Sequence, residues 1–212
     1  MNDFSVSMAL VDYIPVILFT IGSIILMRDL YNKMSKGAFA LFSAGVIDVT
    51  LSGALKATWK LLYAAGVCDF ERLNNMFFPV QSIGFLLAGL GILAMLIHKQ
   101  TKKAAALAVV PPVYSGTFIF IILMISGLGM MQASLCVLAK KMKKSSLIVI
   151  FIISFICSLG MGYLSTKDFA QASMNWIAEV VNLVGQLTSL IGIISLHKSG
   201  LADLKLRNEE LA

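Results

Sequence analysis

Asn175, Glu179, Asn182, Gln186 and Ser189 recur at spacings of four, three, four and three within an otherwise apolar stretch, which places all five on one face of a single helix. Amides, a hydroxyl and a carboxyl on one stripe can hydrogen-bond a small polar solute. Gly185 and Gly192 beside them let a ligand or a neighbouring helix approach the backbone. A second face, Asn74, Phe78, Gln81 and Phe85, joins amides to aromatic rings, a combination suited to binding a small molecule. A third stripe, Asp48, Ser52, Lys56, Trp59 and Tyr63, carries two charges inside an apolar run. Charge within a membrane span is expensive and by default functional. Helix rise puts Lys56 and Glu179 at similar depth, so an ion pair between them is expected. Asp48 has no partner at its depth and is the candidate for carrying a proton. The expected solute contacts are Gln81, Asn175, Glu179, Asn182 and Gln186, with Asp48 and Lys56 gating or coupling.

Each feature also has a plainer reading. The stripes can be polar contacts between helices, and the ion pair can be purely structural. Lys56 can reach along its own helix to the headgroups, as Lys60 is expected to do. Trp59, Tyr63 and Trp176 fit an aromatic belt and need no ligand. Pro79 reads equally well as a helix bend or as an ordinary helix-start proline.

Chemistry of other kinds is poorly represented. The chain has no HExxH, nucleotide-binding Gly-rich loop, Cys/His metal cluster or GxSxG. No catalytic residue, metal or cofactor is therefore expected. His98 and His197 fall at helix ends, where positive charge suits the helix dipole. Of three cysteines, Cys136 and Cys157 lie in apolar runs and read as small buried hydrophobes, and Cys68 has no partner at metal-ligand spacing.

The elements that must hold these stripes are membrane helices. The chain is 58% hydrophobic and 13% charged, with a mean hydropathy of +0.89. Long apolar runs cover about 9–27, 38–63, 75–97, 104–139, 145–164 and 170–196. The fourth is long for one span and tight for two, but Pro111-Pro112 followed by Ser115-Gly116 offers a break. Charge chooses between the counts. Thirteen of seventeen Lys and Arg form the clusters Arg28/Lys33/Lys36, Lys99/Lys102/Lys103, Lys140/Lys141/Lys143/Lys144 and Lys198/Lys205/Arg207. Six spans scatter the loop charges almost evenly over both sides. Seven spans, with the N-terminus outside and the C-terminus inside, put all four clusters inside and leave Arg72 and Lys167 outside. The net charge of +6 is accounted for by inner-leaflet lipid, without nucleic acid. The opening residues, with Asp3, Asp12 and no Lys or Arg, lack the basic start of a cleaved signal peptide.

An internal match supports the seven-span count. Asn74, Gln81, Gly84 and Gly91 correspond to Asn175, Asn182, Gly185 and Gly192 at one offset of 101, and Asp69-Phe70 and His98-Lys99 correspond to Asp168-Phe169 and His197-Lys198 at 99. The expected fold is an all-α integral membrane domain over 1–212: a three-helix unit (9–97), a short linker helix (104–117), a second unit in the same orientation (118–197) and a cytoplasmic tail (198–212).

This 3+1+3 layout, with Gln81 and Asn182 at matching depth, resembles the SWEET and PQ-loop group of sugar transporters, whose relatives include bacterial nicotinamide riboside transporters. The resemblance implies a carrier. The group's Pro-Gln dipeptide is absent, replaced by Pro15-Val16 and Met131-Gln132, so no substrate class carries across. Microbial rhodopsins share the span count, but residues 169–196 hold no Lys for a retinal Schiff base. The expectation is a multi-pass cell-membrane carrier for a small polar solute working by alternating access. The alternatives are a receptor or accessory subunit, as a homo-oligomer or with a membrane partner, and an intramembrane enzyme using Asp48 and Glu179.

Overall fold

The computed structural model describes residues 5–97, 117–164 and 172–205. Among them there is no strand, and the elements are α1 (Val6–Val11), α2 (Tyr13–Leu30), α3 (Lys36–Ala64), α4 (Glu71–Asn75), α5 (Phe77–Ile97), α6 (Thr117–Lys141), α7 (Ser146–Leu164) and α8 (Ala172–Lys198). Among the described residues, six helical stretches are long and apolar enough to cross a membrane: Val6–Lys33, Lys36–Ala64, Glu71–Ile97, Phe118–Lys141, Ser146–Leu164 and Ser173–Lys198. Helices are what such runs must form, because hydrocarbon offers no partner for an unbonded backbone group. The expected spans agree with these limits to within a few residues at most ends. The expected linker helix lies outside the described residues, apart from Thr117, which opens α6.

Two prolines shape the ends of the first half. Pro15 lies four residues beyond Val11, where α1 stops, and Pro79 four beyond Asn75, where α4 stops. A proline ring clashes with the carbonyl four residues earlier, so each helix is interrupted there and restarts. The first interruption leaves Asp12 at a turn in the bundle. Serines cap the entries, with Ser5 accepting from the Met8 N–H and Ser35 from the Ala38 N–H, both at 3.2 Å.

The helices close a ring in the order α2, α3, α5, α6, α7, α8 and back to α2. α5 and α6 run parallel, with Phe85 and Leu86 against Gly127, and Gly89 against Gly127 and Met130. α2 and α8 are also parallel: Gly22 faces Leu190 and Ile193, and further along Asp29 meets His197. The end of α2, the start of α3, the α6–α7 turn and the end of α8 consequently gather Arg28, Lys33, Lys36, Lys140, Lys141, Lys143, Lys144 and Lys198 at one end of the bundle, the basic end. Ile97 closes α5 at the basic end, and Thr117 opens α6 at the opposite one.

Contacts recur between the halves at fixed spacing. A Cβ on Gly84 would meet Asp48 Cβ and Gly45 O, both at 2.9 Å, and one on Gly185 would meet Cys157 Cβ at 3.0 Å and Ser154 O at 3.7 Å. Gly91 and Gly192 likewise rest on Phe42 and Phe151. Positions 84 and 91 are 101 before 185 and 192, and positions 42, 45 and 48 are 109 before 151, 154 and 157. In lipid, where apolar burial between helices gains little, such close fits hold the bundle together. The basic half is solid, with Leu30, Phe42, Leu138, Phe151, Leu196 and Leu201 each 0% exposed. The other half encloses a cavity.

Candidate functional site

The cavity has a volume of about 380 Å³ and takes side chains from α2, α3, α5, α6, α7 and α8, a size suited to a small ligand. All five expected solute contacts line it: Gln81, Asn175, Glu179, Asn182 and Gln186. So do Asn74 at the end of α4 and Phe78 and Phe85 on α5, the rest of the mixed stripe. Asn175 and Glu179 are buried, at 6% and 7% exposure. The polar stripe of α8 thus points into the bundle. The opposite face of that helix presents Trp176, Ile177, Val180, Val184, Leu187 and Ile191 outward.

The cavity lining draws on positions of the two halves at the same sequence offsets. Asn74 and Asn175, Phe77 and Ala178, Phe78 and Glu179, Gln81 and Asn182, and Phe85 and Gln186 are each 101 apart. Val49 and Ser158, and Gly53 and Gly162, are each 109 apart. The chemistry of the pairs is unequal: where α5 offers Phe77, Phe78 and Phe85, α8 offers Ala178, Glu179 and Gln186. One wall is therefore largely aromatic and the facing wall largely polar.

The expected Lys56–Glu179 ion pair is not formed. Lys56 Nζ sits over the Phe77 ring, 3.9 Å from its centroid, a cation–π contact. Asp12 pairs through Oδ2 with Lys60, and Glu179 lines the same cavity with Oε1 buried and without a hydrogen-bond partner among the described residues. Lys60, expected to reach the headgroups, is thereby held in the bundle with a side chain 12% exposed, against Asp12 at 9%. The break before Pro15 presents Asp12 one helical turn further along α3 than Lys56, which is why Lys60 captures it. Asp48, the expected coupling residue, lies outside the cavity lining and packs against Gly84. Ser52, on the same stripe, bonds back to its own helix through Val49 O at 3.0 Å.

Trp59 stacks on Tyr63 at 5.7 Å and donates Nε1–H to Asp69 Oδ1 at 2.9 Å, and it also borders the cavity mouth. Pro79 is a helix-start proline. Phe19 and Phe77 were not singled out from the sequence, and Asp12 and Lys60 were not read there as site residues. Asp12 carried one usable signal, an acidic residue three positions before a proline near the start of a span.

Toward the basic end a second void of about 20 Å³ lies between α2, α6 and α8, and it shares Phe19 and Gln186 with the cavity. Ser189, the last residue of the α8 stripe, lines it. Beyond it the bundle is shut. His197 Nδ1 lies 2.8 Å from Asp29 Oδ2, and Lys33 Nζ donates to Ala202 O and Leu204 O at 2.7 and 2.8 Å. Gly200, at φ 87°, turns the chain after α8 so that this segment folds back onto α2.

Comparison of the chain with protein-family models, with curated proteins and with solved structures finds no match in any of the three. The functional reading rests on the geometry.

Proposed function

We propose that the protein is a seven-span carrier that moves a small polar solute across the membrane by alternating access. The observation that carries this reading is the cavity lined by matched positions of the two halves. A site shared between two similar, similarly oriented units is the arrangement in which rocking one unit against the other exposes the site to each side in turn. The ring order supports it: the third helix of each half, α5 or α8, lies parallel to the first helix of the other, α6 or α2. These two seams are where the units would move.

The parallel course of α5 and α6 supports the seventh span. Ile97 and Thr117 lie at opposite ends of the bundle, as a further span between α5 and α6 requires. With the basic end cytoplasmic, the cavity lies toward the outside. Phe19 and Gln186 form the constriction beneath it, and the Asp29–His197 contact with the Lys33 clasp forms the closed inner gate. The likeness to the SWEET and PQ-loop group remains one of architecture.

The inward-facing stripe of α8 also favours a cavity over a partner-helix contact, since the face available to a partner is apolar. Thermal stability of the purified protein across sugars, nucleosides, vitamins, amino acids and organic acids tests the proposal. A stabilising class whose effect disappears in Asn182→Ala and Gln81→Ala is expected. No shift with any class, while both variants fold as wild type, would overturn it in favour of a receptor or accessory subunit.

A further inference from the structure

Among the described residues, the ionisable groups lining the cavity are Asp12, Lys56, Lys60 and Glu179. Lys60 offsets the charge of Asp12 through Oδ2. Lys56 and Glu179 are not joined in this way: no ion pair links them among the described residues. Lys56 Nζ faces the Phe77 ring, 3.9 Å from its centroid, and Glu179 Oε1 is buried without a hydrogen-bond partner, as is Asp12 Oδ1. One cation and one anion therefore stand apart in a cavity whose charges sum to zero. A buried acceptor left without a donor is costly. A ligand of net charge would add an uncompensated charge to such a site, whereas a ligand carrying both signs adds none. Beside the two charges, Phe19, Phe78, Phe85, Met124 and Leu128 give the cavity an apolar surface, which suits a hydrocarbon side chain.

We propose that the cavity binds a zwitterion, an α-amino acid with an apolar side chain, whose ammonium donates to Glu179 and whose carboxylate accepts from Lys56. This assignment rests on the carrier reading and names the solute class for it. An ammonium that faces a ring on one side keeps donors for a carboxylate on another, so Lys56 can hold Phe77 and the ligand together. The amides of Gln81 and Asn182 line the same space and can donate to the carboxylate or accept from the ammonium. Hydrogen bonds between charged groups at both ends select against solutes that lack either group, because each omission leaves one cavity charge unmatched. Lys56 belongs to α3 in the first half and Glu179 to α8 in the second. The bound zwitterion thus spans both halves, which links occupancy to their relative motion.

The test is calorimetric binding to the full-length protein in detergent of leucine, methionine and phenylalanine, each beside its amide, which lacks the carboxylate, and beside the acid that lacks the amino group. The intact amino acids are expected to bind, and both analogues to bind at least about tenfold more weakly. Glu179→Gln should shrink the advantage of the amino acid over the deaminated acid, and Lys56→Met its advantage over the amide, while Asp203→Asn at the C-terminal turn changes neither. An analogue that binds as tightly as its parent, or no binding of any of the three amino acids, would overturn the proposal. Should a cavity variant fail to fold, the analogue series on wild type decides alone. A solute without both charges that binds in place of the amino acids would overturn the zwitterion and leave the carrier reading standing. Failure of the carrier reading would appear instead as leucine that binds with the expected selectivity yet does not enter vesicles bearing the protein, so the two failures are distinguishable.

Discussion

Lys60 and Asp12 illustrate how the site is built at the scale of single residues. A paired charge inside a bundle offsets part of the cost of leaving water, and removing one partner leaves the other buried and uncompensated. Lys60→Met is therefore expected to destabilise the protein by about 3 kcal/mol. Adding Asp12→Asn should recover much of that loss, because the two effects belong to one interaction and are not additive. Denaturation of the single and double variants in detergent checks this, and a double variant as unstable as the sum of the singles would show that the pair is not coupled. The Lys60–Asp12 pairing was not legible in the sequence. Depth along a helix follows from residue counting, which sets Lys56 level with Glu179, but partner choice depends on rotation about the helix axis and on where Pro15 interrupts the first span. The amides and the carboxyl of α8 were legible, because a 4-3-4-3 spacing fixes a face whatever lies opposite.

Among the elements, the close α3–α5 and α5–α6 contacts depend on glycine at particular points. A Cβ at Gly45 would run into the backbone of Gly84 and Ala88, which cannot rotate aside. Gly45→Val should cost at least about 2 kcal/mol by overpacking. Gly162, with nothing within 4 Å of its built Cβ, should accept Ala with a change below about 1 kcal/mol. Thermal unfolding of the two variants side by side measures the contrast, and equal losses would mean that helix propensity rather than helix contact sets the effect. The span limits and the pairing of Gly84 and Gly91 with Gly185 and Gly192 were visible as sequence spacing. The matching positions on α3 and α7 were not, since Gly45 and Ser154, or Asp48 and Cys157, share no chemistry. Those positions are alike only in the atoms they present to the next helix. Asp48 stood out for its charge, yet its place faces α5 rather than solute. Asp48→Asn is accordingly expected to leave solute-induced stabilisation intact, in contrast to Asn182→Ala, and loss of the thermal shift in Asp48→Asn would return that residue to the site.

Taken whole, the molecule has a solid basic half and a hollow opposite half, divided at Phe19 and Gln186. Its two halves meet along two parallel seams. The α2–α8 seam is tied at the basic end by Asp29 with His197, so the rocking motion proposed above would have to release that tie. His197→Ala should loosen the basic end and raise the reactivity of a thiol placed at Leu135, which lines the second void, relative to the same thiol in an otherwise wild-type gate. Unchanged reactivity would show that the gate is held by apolar packing alone. The most direct measurement of alternating access uses Asn182→Cys in a background with Cys68, Cys136 and Cys157 replaced by Ser. The variant is sealed in vesicles of known orientation and exposed to a membrane-impermeant thiol reagent from one side at a time. A carrier predicts labelling from either side, with reagent on one side blocking later reaction from the other. Labelling from one side only, or from neither, would contradict it.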